Sequence, residues 1–173
     1  LLLPYLFSVF RFLQPRTIVA RMHDVIIKAM KPKSTNDHTQ RREELGQQIR
    51  NLGNIVLRAL ERSDGEVALS AVEALCACAR HYEQVKQQCD KSWFDIDADH
   101  FPGFSQDAYQ EVRNEKTWVE MEILRQLARA YTAALAKMPD VISAISRSQR
   151  QFAQVAAERN DLGALTVTTK FFN

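Results

Sequence analysis

Ala68, Ala71, Leu75, Cys78, Tyr82, Val85 and Cys89 recur at spacings of 3, 4, 3, 4, 3 and 4. Such a heptad seam suits a helix that keeps one face against a partner helix, and it predicts a helix over 65–90. Just before it, Ser63-Asp64-Gly65 supplies turn chemistry, with Asp64 placed to cap the new helix. The helix ahead of that turn is predicted over 38–62, capped by Asn36 or Asp37, with Leu45, Ile49, Leu52, Val56 and Ala59 as its seam. A connection this short makes the two helices antiparallel neighbours.

The rest of the chain continues the pattern. Pro15 suits a first helical turn and opens a helix over 16–30, with Ile18, Met22, Val25, Ile26 and Ala29 on one side. Lys31-Pro32-Lys33-Ser34-Thr35-Asn36-Asp37 interrupts it. Ser105-Gln106-Asp107 begins a helix over 106–137 whose seam is Tyr109, Val112, Lys116, Val119, Ile123, Leu127, Ala130, Ala134 and Met138. Pro139 stops it and opens a fifth, over 140–159, carrying Ile142, Ile145, Gln149, Phe152 and Ala156. Only five glycines and five prolines occur in 173 residues, and no stretch alternates long enough to make a half-buried strand. The fold class is therefore all-α, an antiparallel bundle of long amphipathic helices. A faint echo of Ala59-Leu60-Glu61-Arg62-Ser63-Asp64 in Ala156-Ala157-Glu158-Arg159-Asn160-Asp161 fits either shared capping chemistry or stacked helical hairpins of the α-solenoid kind. We divide the chain into an apolar and basic N-terminal segment, 1–35, and a bundle domain, 36–173. The apolar end at Phe171-Phe172 suggests that this domain continues.

Charge is unevenly placed. Residues 1–33 carry Arg11, Arg16, Arg21, Lys28, Lys31 and Lys33 against Asp24 alone, a local charge of +5 in a chain of net charge +2. These cations follow Leu1-Leu2-Leu3-Pro4-Tyr5-Leu6-Phe7-Ser8-Val9-Phe10, a stretch shorter than the roughly 20 apolar residues that span a bilayer. Residues 1–13 fit the tail of a membrane helix with its cations on the cytoplasmic side; they fit equally an apolar helix folded onto the domain. A nucleic-acid binder would spread its cations over a folded face among aromatics, so no nucleic-acid partner is expected. The three cysteines, Cys76, Cys78 and Cys89, form neither a disulfide framework nor a zinc pattern. They read as small core residues in a reducing cytoplasm.

The sequence motifs point away from an enzyme. The sequence holds no glycine-rich phosphate loop, no G-x-S-x-G and no H-E-x-x-H. Glu120 and Glu122 fall on different helix faces and make no carboxylate pair with each other. No cofactor is expected.

One segment is unusual. Between the third and fourth helices lie Trp93, Phe94, Asp95, Asp97, Asp99, His100, Phe101 and Phe104. Asp95, Asp97 and Asp99 match the first three ligand positions of a calcium-binding EF-hand loop, but His100 stands where that loop needs glycine and Gln106 where it needs a bidentate glutamate. The aspartates are the candidate metal ligands. Trp93, Phe94, His100, Phe101 and Phe104 are the candidate interaction residues, and a plain structural cover for the bundle end is the alternative.

The apolar-then-basic start and the helices after it resemble the soluble part of a bacterial family of uncharacterised predicted membrane proteins. That resemblance carries no activity and no functional residue. Two functions remain. The first is a non-catalytic helical interaction or scaffold domain on the cytoplasmic side of a membrane, binding a protein partner or a second copy of itself as a homo-oligomer, with residues 1–33 toward the membrane surface. The second is a ligand- or metal-sensing domain using the 93–104 loop.

Overall fold

The computed structural model describes residues 14–30, 38–86, 118–135 and 137–158, with Ser105, Asp107, Leu165, Thr168 and Thr169 as isolated positions. Among these residues the protein is all-α, with five helices: α1 (Pro15–Met30), α2 (His38–Glu61), α3 (Gly65–Val85), α4 (Trp118–Ala134) and α5 (Pro139–Glu158). The boundaries of α1, α2 and α5 fall within one residue of the expected ones, whereas α4 ends at Ala134, short of the expected 137. The expected continuation of α3 to Cys89, the caps Asn36 and Asp37, and the seam residues Tyr109, Val112 and Lys116 lie outside the described residues.

Local chemistry sets the two tight junctions. At the α2–α3 turn, Asp64 accepts a hydrogen bond from the Val67 backbone N–H at 3.1 Å and caps α3. Its own N–H donates to the Ala59 carbonyl at 2.8 Å, closing the end of α2. Ser63 takes the left-handed conformation, φ 57°, in a turn where a glycine would be the unstrained residue. At the α4–α5 turn, the Lys137 and Met138 N–H groups both donate to the Ala134 carbonyl, and Pro139 opens α5 at the position where its missing N–H leaves no carbonyl unsatisfied.

Packing follows the seams. Leu45, Ile49, Leu52, Val56 and Ala59 of α2 are buried, as are Ala68, Ala71, Leu75, Cys78 and Tyr82 of α3. On α4, Val119, Ile123, Leu127, Ala130 and Ala134 are buried too. Helix α3 touches all four other helices, and α2 packs against α1, α3 and α4. A single seam does not account for that. A second line on α3, Val72, Cys76, Ala79 and Glu83, is also buried.

Helix α1 departs from the expected face. Val19, Ile26 and Met30 are buried, whereas Ile18 is 40% and Val25 47% exposed. Two apolar stripes run along α1, and because it sits against both α2 and α3, the stripe centred on Val19, Ile26 and Met30 faces inward.

The crossing of α2 and α4 has a steric requirement. A Cβ built on the buried Gly53 of α2 would stand 2.5 Å from Gln126 Oε1, 2.8 Å from its Cγ and 2.9 Å from its Cβ on α4. Gly53→Ala gains about 1 kcal/mol of helix propensity but overpacks a site where such insertions cost roughly 1–3 kcal/mol. The variant is expected to unfold at lower urea concentration than the wild type, and an unchanged or raised midpoint would show that α2 and α4 are not held this close.

Candidate functional site

The expected ligands Asp95, Asp97 and Asp99, and the expected contact residues Trp93, Phe94, His100, Phe101 and Phe104, lie outside the described residues. Among the described residues no cluster of three or more histidine, cysteine or carboxylate side chains could hold a metal ion. Two other features concentrate polar chemistry, and neither was read from the sequence.

The first is a buried ion cluster where α3 ends beside the start of α4. Lys86 Nζ donates to Glu83 Oε1 at 2.7 Å and to Glu120 Oε1 at 3.2 Å, and all three side chains are less than a tenth exposed. Burial pushes the Glu120 carboxyl well above the usual carboxylate range; the Lys86 ammonium opposes the shift and the Glu83 carboxylate adds to it. A protonated Glu120 leaves one carboxylate against one ammonium, so the buried cluster is neutral. Glu120 Oε2 is buried with no hydrogen-bond partner, a position that favours the protonated carboxyl over the charged one. Glu120 and Glu122 do serve different faces, as their spacing implied. Glu122 instead accepts from Gln126 at 2.8 Å and from Arg125 at 3.1 Å, and Arg129 in turn holds Gln126 at 2.9 Å. That chain fixes Gln126 over Gly53.

The second feature is a long cleft on the other side of α3. Small residues open it: Ser70, Ala74 and Ala77 on α3 face Ala144 and Ser148 on α5, and Ala20 on α1 lines the same space, about 550 Å³ in volume. A further cleft of about 560 Å³ continues along α3 and α5 past Phe152 and Val155. Cys76, Arg80, Ser148 and Gln151 line both. The Cys76 thiol donates to Ser148 Oγ at 2.9 Å. Burial pushes this thiol up despite the Ser148 hydrogen bond and the Arg80 charge, and burial pushes the Cys78 thiol up to about 12. Both are free thiols held protonated, so they pack rather than react. Cys78 sits in the core as its seam position implied; Cys76, off that seam, forms the floor of the cleft.

Comparison with protein-family models, curated proteins and solved structures finds no match to this chain.

The ion cluster makes stability depend on pH. Glu120 has a folded-state pKa above its unfolded value, so its contribution is fully present below the ordinary carboxylate range and is lost as pH rises through the raised value. Glu120→Gln keeps an acceptor for Lys86 and a donor for Glu83 but cannot ionise. Its stability relative to the wild type is expected to increase from pH 5 to pH 9, measured by urea unfolding. Lys86→Met, which strands a buried carboxylate, is expected to lose about 3–5 kcal/mol at pH 7.

Proposed function

We propose that this chain is a non-catalytic helical interaction module held at the cytoplasmic face of a membrane, with α1 as the element that meets the surface. The observation that carries the reading is the outer face of α1. Ile18, Arg21, Val25 and Lys28 follow spacings of 3, 4 and 3 down one side, and all four are exposed. Exposed apolar residues interleaved with cations suit the boundary of an anionic bilayer, where the apolar groups enter the headgroup region and each cation near the surface adds about 1 kcal/mol. The inward stripe of Val19, Ile26 and Met30 holds α1 to the bundle independently of that face. Upstream, the apolar residues 1–13 and the local charge of +5 over residues 1–33 have the same character. Among the described residues no helix is long and apolar enough to cross a membrane.

The non-catalytic part of the proposal is supported by how the buried titratable groups are used. Glu83, Lys86 and Glu120 neutralise one another inside the bundle, and the Cys76 and Cys78 thiols are kept protonated. The interaction partner we propose is a protein or a second copy of this chain.

Co-sedimentation with vesicles tests the membrane reading. Binding is expected to vesicles containing phosphatidylserine and to weaken as salt rises. The double variant Ile18→Ser, Val25→Ser should bind several-fold less while keeping its helical circular dichroism signal. Equal binding by wild type and variant, or none by the wild type, would refute the role of α1.

A further inference from the structure

We infer that the cleft between α1, α3 and α5 is a binding site for a small organic anion, held by Arg80 and Arg147. The α1 residues that line it, Arg16, Ala20 and His23, lie on the side of that helix opposite Ile18 and Val25, at 100° per residue. The inference therefore does not depend on membrane contact.

Charge is the first argument. Arg16, Arg80 and Arg147 line the cleft with Glu73 as the one carboxylate among the lining residues. Arg16 is engaged by Glu66 at 2.6 Å, and His23 lies 3.4 Å from Asp24. Arg80 and Arg147 make no ion pair or hydrogen bond with any other residue among those described. Two guanidinium groups from different helices thus border one concave space with their donor forks uncommitted, and such forks match a carboxylate or a phosphate bidentately.

Hydrogen bonding at the floor is the second. Ser148 Oγ accepts from the Cys76 thiol, and burial keeps that thiol protonated. The Ser148 hydroxyl can turn its O–H toward the cleft, and it has no other hydrogen-bond partner among the described residues. Arg147 and the Gln151 amide line the same cleft. Cation, hydroxyl and amide donors thus border one concave space able to take an oxyanion. The space of about 550 Å³ falls in the range of small-molecule sites, and it exists because Ala74, Ala77 and Ala144 leave it unfilled.

Calorimetric titration of the whole chain tests this with two probes, inorganic pyrophosphate and citrate. Saturable binding of one molecule per chain is expected for at least one of them; the preferred probe assigns the anion as phosphate or carboxylate. Arg80→Gln and Arg147→Gln should each weaken that binding by about tenfold, the value of one charge-assisted hydrogen bond. Both side chains are exposed, so the variants are expected to keep the wild-type melting temperature. Ala144→Leu fills the cleft without touching a charge and should also abolish binding. Absence of saturable heat with both probes overturns the inference, as does binding that survives either the paired arginine changes or Ala144→Leu, which would indicate diffuse surface charge.

Discussion

Helix α3 packs against α1, α2, α4 and α5, and it can do so because alanine, cysteine and valine occupy most of its inward positions. Ala68, Ala71, Ala79, Cys76 and Cys78 let neighbouring backbones come close, while Leu75 and Tyr82 supply the bulk that fills the space between them. A helix buried on two faces cannot tolerate large residues on both without pushing its partners apart. The remaining helices are arranged by this requirement. Helices α2 and α4 close one side, meeting at Gly53 and Gln126, and α1 and α5 close the other.

The two sides use polar groups in opposite ways. Toward α4, where packing is tight, buried charges are paired: Lys86 stands between Glu83 and Glu120, whose carboxyl burial pushes up, and Glu122 pairs with Arg125. An unbalanced charge at that depth would carry a desolvation penalty of several kcal/mol, so neutrality is a condition of folding there. Toward α5, small residues leave a gap, water reaches Arg80 and Arg147, and the same kind of charge stands uncompensated. Helix α3 therefore joins a structural polar cluster on one side to an open, cationic cleft on the other. Cys76 marks the boundary: its thiol is buried enough to stay protonated, yet it hydrogen-bonds a serine that lines the cleft.

The described helices, the Asp64 cap and the antiparallel α2–α3 hairpin were legible in the sequence because each rests on local rules. A 3-and-4 spacing, an aspartate before a helix and a proline at its first turn act within a few residues of one another. The described seam residues of α2, α3 and α4 were legible for the same reason, whereas the second buried line of α3, Val72, Cys76, Ala79 and Glu83, was not.

Where a helix has two stripes, the sequence could not choose. Ile18 and Val25 are as apolar as Val19 and Ile26, and only the position of α1 across α2 and α3 decides which pair faces inward. The ion cluster was hidden for a related reason. Glu83 and Lys86 look like an ordinary solvated pair, and Glu120 lies 34 residues from Lys86, so the burial that protonates Glu120 comes from a contact with no local signature. The cleft is likewise a tertiary product. Ala74, Ala77 and Ala144 are unremarkable helix formers singly, and they make a space only when α3 and α5 bring them face to face. The sequence by itself determined the helices and most of their buried faces, through interactions between residues close in the chain. Which charges are buried, which stripe of α1 stays outside and where the bundle leaves a cavity were decided by tertiary structure, because each depends on the distance between residues that the chain separates.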